Sequence, residues 1–141
     1  MRKRTRAREL ALMALYQTEI AKLPAEDSLK VFWEAQKADE EIKDFASSLV
    51  TGTIGHQKQI DEIISRHADN WKLSRMAAVD RNILRLAAYE LLFVKEIPPK
   101  VSLNEAVELA KKFGDVESGR FVNGILDQIS KQEVDAAWKG K

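Results

Sequence analysis

Side chains capable of covalent chemistry are thinly spread in this chain. It has no cysteine, which excludes thiolate catalysis, a thiolate metal site and a disulfide framework. There are two histidines, His56 beside Gly55 and His67 on a stripe with Ile60, Ile63 and Ile64. The first reads as a surface histidine and the second as a core-edge one. No H-E-x-x-H pair, glycine-rich phosphate loop or G-x-S-x-G elbow accompanies them. The acid pair Glu40-Glu41 falls at a predicted helix start, where negative charge favours the helix dipole. These absences point away from an enzyme, and no metal or cofactor is expected.

Three other groupings carry functional information. Residues 1–8 hold Arg2, Lys3, Arg4, Arg6 and Arg8 with no acid, leaving 18 basic and 22 acidic side chains in the remainder. A basic head thus precedes a mildly acidic body. Arginine suits phosphate because its planar guanidinium donates two hydrogen bonds at once; a solvated terminus is the competing reading. The second grouping is Gly119-Arg120-Phe121-Val122-Asn123-Gly124. Phe121 could stack an unpaired base, with Arg120 and Asn123 as donors, or could belong to the core through its spacing with Ile125 and Leu126. A glycine within a helix costs roughly 1 kcal/mol against alanine, so Gly124 suggests close helix packing or close approach of a ligand. Third, Asp80, Leu84 and Ala88 form one stripe flanked by Arg81 and Arg85. Such a stripe suits either a partner-binding rim or an internal helix contact. Tyr16 is a further candidate stacking ring, whereas Trp33 and Trp71 are expected in the core.

The elements that must position these residues read as helices throughout. A first helix spans about Thr5 to Ala21, with Leu10–Tyr16 apolar all round and so buried on several sides. Arg4 and Arg8 share a stripe with Ala11 and Leu15. After Pro24, Asp27 or Ser28 is the expected cap of a second helix with Leu29, Phe32 and Trp33 inward. Asp39 precedes a third, amphipathic through Ile42, Phe45, Ala46, Leu49 and Val50, with a break near Gly52 and Gly55. A fourth carries Ile60, Ile63 and Ile64. Ser74 is the expected cap of a fifth, apolar on more than one face from Val79 to Val94. Pro98-Pro99 ends it, and Ser102 and Glu105 have capping-box spacing for a sixth, which includes a Glu108–Lys112 pair. Gly114 is expected to close that helix in a left-handed conformation, before a last helix from about Ser118 to Lys131.

The length of 141 residues fits a single domain, residues 1–141, with a basic arm at 1–8 and a frayed polar tail at 133–141 that includes Trp138. The apolar run Leu10–Tyr16 is too short for a membrane span and lacks a cleavage site. A cytoplasmic protein with no membrane partner is the expectation. Helices joined by short loops predict an all-α bundle, arranged as two packed sub-bundles.

The motifs together resemble the NusB transcription antitermination family. Arg4-Thr5-Arg6-Ala7-Arg8-Glu9 with Ala14-Leu15-Tyr16 is similar to the family's start. Val79-Asp80-Arg81 through Tyr89-Glu90-Leu91 is similar to its central helix. Ile97-Pro98, Asn104 to Gly114, and Phe121-Val122-Asn123-Gly124-Ile125-Leu126-Asp127 complete a match over residues 4–130. The resemblance implies about seven helices in two sub-bundles and a non-catalytic RNA-binding factor. It implies binding of the single-stranded boxA element of nascent ribosomal RNA, together with a small-subunit ribosomal protein called NusE in that role. Other Nus factors and RNA polymerase are further implied partners; without them, a monomer and a homodimer that hides the RNA face are both open. The arginine-rich start (Arg2, Lys3, Arg4, Arg6, Arg8), Tyr16, Arg120, Phe121 and Asn123 then fall on the RNA side. Asp80, Arg81, Leu84 and Arg85 fall on the ribosomal-protein side. The alternative function is a helical protein-interaction module without intrinsic RNA binding.

Overall fold

The computed structural model describes residues 2–69 and 71–134. Among them the chain is all-α, with seven α-helices, one 3-10 turn and one π turn. They fall into two compact units that divide between Gly55 and His56. No helix among the described residues is long and apolar enough to cross a membrane.

The first unit holds α1 (Lys3–Ala21), α2 (Ala25–Ala35) and α3 (Glu40–Gly55). Helix α1 starts two residues before the expected Thr5, because the Arg2 carbonyl already accepts from the Arg6 amide. Its sequence is dominated by strong helix formers. The helix ends where Lys22 turns left-handed (φ 57°), two residues before Pro24. Ala7, Leu10, Ala11, Leu12, Ala14 and Leu15 are buried, but Met13 and Tyr16 of the run Leu10–Tyr16 are exposed, so α1 keeps one open side. Helix α2 begins at Ala25 with Pro24 before it, so Asp27 and Ser28 lie inside the first turn and do not cap it. Proline fixes the backbone angle that the entry needs and lacks only a donor that would be orphaned there. Ser28 is instead buried, its hydroxyl 2.6 Å from that of Thr18 on α1. Trp33 is half-buried and donates its indole N–H to Ser47 on α3 at 2.9 Å. Helix α3 begins directly after Asp39 and runs unbroken through Gly52; the break comes at His56.

The second unit is built around α5 (Ala78–Phe93). Packed on it are α4 (Gln57–His67), α6 (Pro99–Phe113) and α7 (Val116–Ile129). Having neighbours on several sides explains why Ile83, Leu84, Leu86, Ala87, Ala88 and Leu91 are all buried. Burial of that many side chains, at roughly 1.5–3 kcal/mol each for the larger ones, makes α5 the main hydrophobic anchor of the unit. Ser74 lies within the 3-10 turn Leu73–Arg75 and does not cap α5, which is preceded by Ala77. The expected Ser102–Glu105 capping box is likewise displaced. Pro99 occupies the first position of α6, so Ser102 sits one turn in and donates to the buried Glu90 carboxylate of α5 at 2.9 Å. That bond satisfies a carboxylate oxygen that would be costly to leave unpaired.

Gly114 is not left-handed (φ −118°). A Cβ there would lie 2.5 Å from Ser118 Oγ and 2.9 Å from the Ala110 carbonyl, so close approach of α7 is what demands glycine. Asp115 caps α7 by accepting from the Ser118 amide at 2.8 Å. At the far end of α7 the chain continues into a π turn, Ser130–Val134. Glu133 and Val134, expected in a frayed tail, are part of that turn. Val134 is buried, and Glu133 Oε2 lies 3.0 Å from His67 Nε2 and 3.1 Å from Arg66 Nη1. The rest of the expected tail, with Trp138, lies outside the described residues.

Candidate nucleic-acid interface

The basic head is a helical turn, and the helix distributes its charges. At about 100° per residue, Arg6, Met13, Tyr16 and Ile20 share one face of α1 with the buried Glu9 among them, whereas Arg4 and Arg8 point away from it; Arg2 precedes the helix in extended backbone. On the second face, Arg4 lies 4.4 Å and Arg8 5.6 Å from the centroid of the Phe45 ring of α3. Arg4 remains exposed, but Arg8 is only 3% exposed. Arg8 is therefore corrected from phosphate ligand to internal cation. Its place on the stripe of Ala11 and Leu15 draws it inward. Lys3 lies between the faces, 2.9 Å from Glu41 and 3.6 Å from Asp39 of α3. The hydrogen bond and charge of Glu41, with the charge of Asp39, raise the Lys3 ammonium above its ordinary value.

On the first face, Arg6 pairs with Glu9 at 2.9 Å while keeping 40% of its side chain in water. Arg2 is exposed, and further along the same face Tyr16 is 44% exposed, with Met13 and Ile20 also open to solvent. Arg6 and Tyr16 are separated by ten residues, about 15 Å along the axis. An exposed cation at the helix entry and a part-exposed one paired with buried Glu9 are thus followed along α1 by an exposed amphipathic ring.

In the second unit, Arg120, Phe121 and Asn123 occupy α7, but not one side of it. Phe121 and Asn123 lie on opposite flanks, about 160° apart across the exposed side, with Arg120 and Gly124 on the ridge between. Phe121 is half-buried, 5.7 Å from Trp71 in an edge-on arrangement (interplanar 74°). Arg120 is 75% exposed and pairs with Glu117 at 3.0 Å. Asn123 and Arg120 border a groove of about 460 Å³ between α6 and α7, lined also by Asn104, Val107, Lys111 and Gly119. The close packing expected of Gly124 belongs instead to Gly119, whose Cβ would lie 3.1 Å from Lys111 Cγ. Gly124 is exposed, and a Cβ there would meet nothing within 4 Å.

The expected partner rim on α5 is largely internal. Leu84 is fully buried and offers no surface to a partner, because α5 is enclosed on several sides. Arg85 makes two bonds to Asp61 of α4, at 2.8 and 3.1 Å. Arg81 donates to the carbonyls of Leu73 and Met76, which holds the 3-10 turn against the start of α5. Asp80 differs: its Oδ1 is buried without a hydrogen-bond partner. Both histidines are structurally employed. His56, exposed as expected, stacks on Phe93 at 4.1 Å, while the largely buried His67 meets Glu133. No group of three or more metal-ligating side chains occurs among the described residues.

One ring departs from its expected place. Trp71 is 55% exposed. Polar Asp69 and Lys72 around it, in place of apolar neighbours at helical spacing, were the available signal.

Residues 5–131 match the family described as the NusB family. The chain is 50% identical over 126 residues to the transcription antitermination protein NusB of Trichlorobacter lovleyi, covering 89% of each chain. Its fold superposes on T. maritima NusB with a TM-score of 0.86 at 40% identity, covering 98% of this chain and 97% of that one. A second similar structure is that of antitermination factors NusB and NusE in complex with dsRNA (TM-score 0.84, 33% identity, 93% and 98% coverage).

Proposed function

Given that the chain belongs to the NusB family of non-catalytic transcription antitermination factors, we propose that it binds the boxA element of nascent ribosomal RNA with a small-subunit ribosomal protein of the NusE kind. The pair then acts with other Nus factors on RNA polymerase to carry it through terminators, in the cytoplasm. The observation that carries this reading is α1, where exposed Arg2 at its entry and part-exposed Arg6 are followed along the helix by exposed Tyr16. Cations position a strand through its phosphates, and rings with polar edges select bases. A related protein crystallised with NusE and dsRNA supports RNA and NusE as the kinds of partner. Asp80 is placed on the protein side by the family resemblance, not by its unpaired Oδ1, which is buried.

The test is transcription in vitro on a template with a boxA element ahead of a terminator. Adding the chain with the ribosomal protein and the other Nus factors raises readthrough, and scrambling boxA removes the increase. Equal readthrough with and without the chain would contradict the proposal.

A further inference from the structure

Trp71 lies in the connection between α4 and α5, placed by its amide N–H, which donates to the Ala68 carbonyl at 2.9 Å. More than half of its surface is in water, which leaves ring surface open to a partner. Its edge-on contact with Phe121 at 5.7 Å is the kind that ring quadrupoles favour, and it makes one aromatic step from a loop residue and a helix residue. Lys72 and Arg75 are exposed on the same connection, and Arg120, ion-paired with Glu117, is exposed on α7 beside Phe121 in the chain. Asp69 is the acidic residue in this stretch.

An exposed ring flanked by lysine and arginine matches the chemistry of an unpaired nucleotide, whose base offers a π-face and whose phosphate offers an anion. We propose that Trp71 is a base-stacking residue for single-stranded RNA, paired with Phe121, with Lys72 and Arg75 holding the adjoining phosphates. This rests on the RNA-binding reading above and adds to it a residue outside the motifs that carry the family resemblance. The second unit then has its own stacking site, separate from Tyr16 on α1.

The experiment uses the full chain, a boxA single strand and a scrambled strand of equal length. Anisotropy gives affinity, and tryptophan emission reports stacking. The expected result is that Trp71→Ala weakens boxA binding roughly tenfold with an unchanged melting temperature. Trp71→Phe recovers most of the affinity, yet loses most of the RNA-induced quenching seen in the unmodified chain. If the unmodified chain binds boxA but Trp71→Ala binds equally well with the same quenching, this inference fails and the RNA reading survives. Unchanged RNA affinity with weakened binding of the ribosomal protein also overturns it, assigning the ring to a protein contact. If the unmodified chain binds neither strand, the RNA reading fails and takes the inference with it. Should Trp71→Ala fold poorly, Trp71→Phe decides, since quenching that persists in it rules Trp71 out.

Discussion

Arg8 lies with its guanidinium carbon 5.6 Å from the centre of the Phe45 ring and is almost fully buried. One of the five charges of the basic head is thus part of the interior of the first unit. Replacing Arg8 with alanine removes a cation–π contact and the packing of its stem, a loss of about 1–3 kcal/mol. We expect thermal denaturation of Arg8→Ala to show a melting temperature several degrees lower, and that of Arg2→Ala to show none of this loss. Arg8→Lys restores only part, because a point-charge ammonium lacks the planar stacking face of guanidinium.

The two-pronged contact between Arg85 and Asp61 predicts a second separation of stability from binding. Arg85→Ala or Asp61→Ala should each cost about 1.5–3 kcal/mol in chemical denaturation. A double-mutant cycle should return most of that as coupling. Leu84→Ala should cost about 2–5 kcal/mol through its cavity, so any loss of partner binding in that variant follows from unfolding. Asp80→Asn, by contrast, should leave stability nearly unchanged and weaken binding of the ribosomal protein.

Lys3 holds Glu41 and Asp39 from an exposed position. Because its folded-state pKa is raised, the contribution of this pairing is complete below the ordinary lysine range and fades only as pH climbs through the raised value. Melting curves between pH 6 and pH 9, a range that lies below about 10.4, should show no difference between Lys3→Gln and the unmodified chain that grows with pH. A difference widening or vanishing across that range would mean that another group governs the anchor.

Gly124 sits inside α7 with open space where a side chain would be. Gly124→Ala should therefore stabilise the fold by about 0.5–1 kcal/mol, read as a higher melting temperature. If a strand crosses the bare backbone between Phe121 and Asn123, the same variant will bind boxA RNA more weakly. Higher stability with undiminished RNA affinity would place the strand elsewhere.

Periodicity is enough to locate the helices, since the centres of the apolar stripes lie inward: Ala46, Leu49 and Val50 on α3, or Ile60, Ile63 and Ile64 on α4; stripe ends such as Ile42, Phe45 and Phe113 stay partly in water. Entry points were less legible. Serines with capping geometry on paper, Ser28 and Ser102, were overridden by prolines upstream that set the helix start, and both hydroxyls found partners on neighbouring helices. The candidate site was legible as a set of residues but not as surfaces. A run of five cations reads as one patch in sequence, while the helix sends Arg6 one way and Arg4 and Arg8 another. Tryptophan is highly buried on average, which points Trp71 inward; its exposure follows the path of a loop, signalled only by the polar neighbours Asp69 and Lys72.

The most direct test of the account is the salt dependence of boxA binding by anisotropy, for the unmodified chain, for Arg2→Ala/Arg6→Ala and for Phe121→Ala. The account predicts selective binding that tightens with the ribosomal protein. The log–log salt slope should fall by about 1.4 in the arginine variant, at about 0.7 per lost phosphate contact on a single strand. Phe121→Ala should lose affinity for boxA with its slope intact. A slope and affinity unchanged in both variants would contradict the claim that these two surfaces hold RNA.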